Sequence, residues 1–196
     1  MVEQDPAIPP APLAIYTDFQ QDAPKAVLDE MRAEAEAILA PAGPRFEWRP
    51  LAGFRPDIVS AAVVVAHFHD RCDAAGLVMR GNRPGSLAWT DMSDGRPLPF
   101  IHVDCGRVRT FLQTALLGHR PQDRDLLYGR ALGRVLAHEL CHAIAASPDH
   151  APRGVAREDY LVEDLLSPAF RLESGEIEVL RASSAMEGLR AAASPR

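Results

Sequence analysis

Three cysteines in 196 residues are too few for a disulfide-stapled scaffold, and Cys72, Cys105 and Cys141 form no C-x-x-C pair. An excess of positive charge is also missing. The formal net charge is -6 and the arginines are scattered among acids, with no basic face interleaved with aromatics, which excludes a general nucleic-acid binder. No apolar run approaches the length of a membrane span. The first twelve residues carry Glu3, Asp5 and several prolines but no apolar core of a signal peptide. The literal reading is therefore cytoplasmic, although a mature exported domain that has shed its leader looks the same. In that second case Cys72 and Cys105 are free to pair, and the sequence leaves the matter open. What is present is ordinary globular chemistry, 47% hydrophobic and 24% charged, in a chain long enough for one substantial core without metal or disulfide.

Taken in order, residues 1–12 read as a flexible arm, 13–180 as one domain and 181–196 as a C-terminal tail; Phe170 to Leu172 is a candidate extended stretch, Glu176 to Leu189 reads as a weak helix, and Ala191 to Arg196 is expected to fray. Leu13 to Phe19 is a short strand. Asp22-Ala23-Pro24 then signals a helix start, and Val27, Leu28, Met31, Ala35, Ile38 and Leu39 recur at helical spacing as far as Pro41. Arg45 to Arg49 reads as a second strand, most simply parallel to the first. Ile58 to Phe68, rich in valine, predicts a buried strand near the centre of the sheet. His67 and His69 fall on one face of it. With Asp70, Cys72 and Asp73 they make an imaginable metal site, but strand-end polar residues near a turn are the simpler reading. Ser86 to Thr90 and Pro99 to Val103 flank the reversal signal Asp94-Gly95, so they predict a hairpin with edge-strand character. Such an edge either pairs with an extended substrate or simply lets Trp89 and Phe100 cover the core.

Asp104 caps a helix over 104–117, and Asp123 caps a longer one over about 124–145. The stripes Leu127, Ala131, Leu132, Val135, Leu136, Leu140, Ala143 and Ile144 cover so much of the second helix that it belongs inside the fold. Gly129 and Gly133, four apart, suggest close packing against another element. This helix carries His138-Glu139-Leu140-Cys141-His142, an H-E-x-x-H motif. Imidazoles at i and i+4 share a face and can grip one zinc ion, while Glu139 beside them can take a proton from water activated there. Two buried histidines without a shared partner would be costly. Cys141 reads as a small buried hydrophobe. The candidates for a third ligand are His150 in the following loop and, as its rival, Glu163 on a helix predicted over 157–166, which also offers Glu158, Asp159 and Asp164; the remaining alternative is that neither His150 nor Glu163 serves.

The run Gly133 to His150, followed by Gly154-Val155-Ala156, resembles bacterial proteins of the zincin-like metallopeptidase superfamily, in which the third histidine falls eight residues after the second, as His150 does. The resemblance extends upstream over Trp89, Asp94-Gly95-Arg96 and Pro99 to Asp104. It implies an α+β, zincin-like fold: a mixed twisted sheet packed against helices that include the active-site helix. It also implies His138, His142 and His150 as ligands of one zinc ion, with Glu139 as general base. Metzincins place glycine and histidine where this chain has Ala145 and Pro148, so the turn at the helix end differs from theirs. The expected activity is that of a zinc metallopeptidase, an endopeptidase before an exopeptidase, acting on peptide or protein, with no nucleic-acid or membrane partner. A zinc-containing binding or regulatory protein without turnover is the alternative, and hydrolysis of a non-peptide amide uses the same metal logic. Oxyanion stabilisation by His102 or Tyr160 is left open.

Overall fold

The computed structural model describes residues 11–54, 62–79, 81 and 85–193, so most of the predicted N-terminal arm, residues 58–61 of the third predicted strand and part of the 81–85 turn lie outside it. Five strands form one mixed sheet: β1 (Leu13–Phe19), β2 (Phe46–Pro50), β3 (Ala62–His69), β4 (Ala88–Ser93) and β5 (Arg96–Asp104), in the order β2-β1-β3-β5-β4. The β1–β2, β1–β3 and β3–β5 pairs are parallel and β4–β5 is antiparallel. The valine-rich strand is central, as its composition requires, and Val64, Ala66 and Phe68 alternate into the core. The hairpin closes at Asp94 and Gly95, both at positive φ, and leaves β4 as the edge strand. A bulge between Thr90 and Met92 twists that edge.

Helix α1 (Lys25–Leu39) connects β1 to β2, α2 (Cys105–Leu117) leaves the end of β5, and α3 (Pro121–Ala145) runs through the molecule, touching α1, α2, β4 and β5. Asp104 caps α2 by accepting from the Arg107 N–H at 2.9 Å. Residues Tyr128 to His142 of α3 are almost all buried, as the apolar stripes demand. The glycines explain how α3 comes so close to α1. A Cβ at Gly129 would stand 2.7 Å from the Val27 carbonyl oxygen, and one at Gly133 would stand 2.6 Å from that of Met31. Beside this contact the buried Arg134 donates to Glu34 at 2.7 Å and to the Asp164 carbonyl at 2.9 Å, satisfying an otherwise costly charge.

Several boundaries differ from expectation, each for a local reason. Helix α3 starts at Pro121, three residues before the predicted 124, because proline suits the first helical position. Asp123 therefore lies inside the first turn, where the helix dipole favours it, and not at the cap. The helix predicted over 157–166 shrinks to α4 (Val162–Leu166), since the Asp164 carboxylate is taken by Arg157 and by the Leu161 N–H, and the Tyr160 hydroxyl is turned back onto the Val155 carbonyl. Phe170 to Leu172 form no strand. The weak helix expected over 176–189 is present as two helices, and Ala191 to Ala193, expected to fray, continue the second of them. After α5 (Ser174–Arg181), α6 (Ser184–Ala193) buries Met186 and Leu189, and the Leu189 carbonyl accepts from the Ala11 N–H at 3.0 Å. Cys72 and Cys105 form a buried disulfide joining the loop after β3 to the start of α2, while Cys141 is a buried free thiol. No helix among the described residues is long and apolar enough to cross a membrane.

Candidate metal centre

Burial of α3 presents the motif side chains to a cleft of about 810 Å³ between the edge strand β4 and the loop that follows the helix. The two motif imidazoles meet there with Nε2 atoms 3.1 Å apart. Their opposite nitrogens are committed elsewhere. His138 Nδ1 lies 2.9 Å from the Val155 carbonyl, and His142 Nδ1 lies 2.8 Å from the Ser147 carbonyl. A carbonyl only accepts, so each Nδ1 carries the hydrogen and each Nε2 is a bare lone pair. Two lone pairs confronting each other at that distance repel unless a cation lies between them. Tetrahedral zinc, with Zn–N near 2.0–2.1 Å, would set its nitrogens about 3.4 Å apart. The pair is therefore ready for such an ion.

The loop supplies the third imidazole. Helix α3 ends on Ala146 in the left-handed region, φ 50°, and this turn reverses the chain where metzincins use glycine one residue earlier. The His150 ring is thereby carried back to within 4.8 Å of the His142 ring and 5.3 Å of the His138 ring, centroid to centroid. One nitrogen from each of the three residues lies within 4.8 Å of the others, and this is the convergent ligand group among the described residues. Glu163 stands exposed on α4, outside that group, and Asp164 is occupied by Arg157 and Leu161. Glu158 and Asp159 reach the cleft wall without joining the ligand set.

Burial pushes His138 down to about 4, against the opposing pull of the Val155 carbonyl, and burial lowers His142 as well, so both rings are neutral at pH 7 as ligation requires. Glu139 sits beside them, with Oε1 3.9 Å from His138 Nε2. Its other oxygen accepts from the Thr90 hydroxyl at 2.7 Å. Burial raises the Glu139 carboxyl to about 7, and the Thr90 hydrogen bond opposes that rise. The bulge just beyond Thr90 re-aims the edge strand at this point.

Tyr160 and His102 part company. The Tyr160 hydroxyl lies 2.9 Å from His138 Nδ1 and donates to the Val155 carbonyl, on the side of the ring away from the ligand group. His102 belongs neither to the ligand group nor to the cleft lining: it bonds His69 at 3.0 Å, pairs with Asp91 at 3.3 Å and stacks on Trp89. His67 pairs with Asp18, Cys72 is in the disulfide and Asp73 holds Arg71, so the strand-end residues build no second metal site among the described residues. The partners that sequence reading missed are Thr90 and the carbonyls of Ser147 and Val155. None belongs to a motif, and two act through backbone atoms that every residue possesses.

A second cavity of about 460 Å³ opens behind His142 and His150, lined by Cys141, Ala145, Pro152, Val179 and Leu180 among others. No protein-family profile matches the chain, and no curated protein matches it in sequence.

Proposed function

We infer that the protein is a zinc-dependent hydrolase of zincin-like architecture, a metallopeptidase acting on extended peptide. The observation that carries this reading is the pair of bare Nε2 lone pairs 3.1 Å apart, with a carboxylate positioned beside them. His138, His142 and His150 would hold the ion. A bound zinc would polarise the scissile carbonyl and acidify water. Glu139 accepts the proton through Oε1 and delivers it to the leaving amine, while Thr90 keeps Oε2 fixed so that one oxygen alone faces the reaction. Edge strand β4 borders the cleft with Trp89, Thr90 and Met92, which suits a peptide laid alongside it. The cavity behind His142 and His150 offers room for one apolar substrate side chain.

The test is zinc content together with cleavage of an unstructured protein such as casein. Wild type is expected to bind one zinc per chain and to cleave. Glu139→Gln is expected to bind zinc equally and to lose about 10²–10⁴-fold in rate, the usual span of general-base catalysis. Cleavage undiminished in Glu139→Gln would remove Glu139 from the role. Zinc binding without any hydrolysis by wild type would leave a metal-binding protein that does not turn over.

A further inference from the structure

Glu176 is buried on α5, in a stretch whose sequence signals only a weak helix, and the chemistry above makes no use of it. One carboxylate oxygen accepts from the Ala156 N–H at 2.5 Å and the other from the Glu173 N–H at 2.6 Å. The loop reaches this carboxylate because residue 154 is glycine. Its φ is +85°, and a Cβ there would fall 2.1 Å from Oε2 of Glu176.

The Ala156 N–H belongs to the same peptide unit as the Val155 carbonyl, and a trans peptide is a rigid plane whose N–H and C=O point in opposite directions. Glu176 therefore grips one end of that plane, while His138 Nδ1–H and the Tyr160 hydroxyl are held by the other. Fixing the N–H fixes the direction of the C=O. A negative charge at the N–H end also polarises the amide, which makes the carbonyl a better acceptor and the imidazole a stronger donor of its remaining lone pair.

We propose that Glu176 is a positioning residue for the metal centre, acting through the Val155–Ala156 peptide to orient His138 and raise its ligand strength. The inference rests on the zinc-binding reading of the three histidines. It needs neither contact between Glu176 and the ion nor any change in the charge of Glu176.

The experiment is competition for Zn²⁺ against a chromogenic chelator, with the thermal midpoint measured on the same samples. Glu176→Ala removes the acceptor and is expected to weaken zinc binding by about 10-fold or more, the lower part of the range for partners that orient a ligating histidine. Glu176→Gln keeps a carbonyl oxygen for the Ala156 N–H and is expected to stay within about 3-fold of wild type. Gly154→Ala disturbs the same carboxylate from the loop side and is expected to weaken binding as Glu176→Ala does. If Glu176→Ala fails to fold, the Gly154→Ala and Glu176→Gln affinities decide. Unchanged affinity in Glu176→Ala, or in Gly154→Ala when the former does not fold, would overturn the proposal even if stability falls. An equal loss in Glu176→Gln and Glu176→Ala would also overturn it. A wild type that does not bind zinc overturns this inference together with the proposed function. A wild type that binds and cleaves while Glu176→Ala binds as tightly overturns this inference alone.

Discussion

Replacing Thr90 by valine removes a hydroxyl, puts a methyl group of similar size in its place and leaves the β-branched shape of the edge strand intact. The hydroxyl donates to Glu139 at 2.7 Å, and the carboxylate that receives it is only 6% exposed, so water cannot readily replace the lost donor. Hydrogen bonds to charged groups contribute about 1.5–3 kcal/mol, and each 1.4 kcal/mol is tenfold in rate. The freed carboxylate can rotate away from the direction in which Oε1 faces the histidines, so kcat is expected to fall about 10- to 150-fold. KM should change little, because Thr90 is assigned to the base and not to substrate. Thr90→Ser keeps the donor and should recover most of the rate. The assay is steady-state cleavage of a fluorogenic peptide, with zinc content measured on each variant. The reasoning fails if Thr90→Val cleaves within twofold of wild type, or if Thr90→Ser is as impaired as Thr90→Val. Parallel loss of zinc would refute it too, since Thr90 touches no ligand.

Three further outcomes follow from the packing. The Cys72–Cys105 disulfide spans 33 residues, for which loop entropy predicts about 4 kcal/mol of stabilisation; the double alanine variant should melt about 8–15 °C lower, and denatured, unreduced wild type should titrate as a single thiol, Cys141. Gly133→Ala drives a Cβ to 2.6 Å from the immovable Met31 carbonyl and should cost about 2 kcal/mol, after the roughly 1 kcal/mol of helix propensity that alanine returns; a denaturant midpoint equal to wild type would show that α1 and α3 can part. Chelation should abolish cleavage while the far-ultraviolet circular dichroism is kept, because α3 is buried against α1, α2 and the sheet independently of any ion; collapse of the helical signal would place the metal in the folding core instead.

The parts of the fold that sequence made legible are those specified by periodicity over a long window. Helix α3 announces itself through stripes that wrap its circumference, β3 through its run of valines, and the β4–β5 hairpin through Asp94-Gly95. The three convergent histidines were readable because their spacing is local: i,i+4 on the helix, and eight residues on through one turn. What escaped was either short or distant. The helix expected over 157–166 has helical composition but loses its first turns to side-chain contacts made by Asp164 and Tyr160. The terminal helix α6 runs on to Ala193, past the point where fraying was expected, and Met186 and Leu189 are buried within it, a tertiary effect that its last turn does not announce. Thr90 meets Glu139 across 49 residues and Glu176 meets Ala156 across 20. Neither partner carries a local signal of the other.

The glycine contact between α1 and α3 divides the three histidines into unequal partners. His138 and His142 ride on a helix whose backbone is wedged against another backbone, so they can shift only if the core shifts with them. His150 rides on a loop held by hydrogen bonds. An ion seated among the three rings on the proposed reading would thus have one immovable wall and one hinged side, and exchange would begin with His150 swinging out. On that reading the helix would fix where an ion rests, while residues 147–156 would supply both its third ligand and the side from which it leaves.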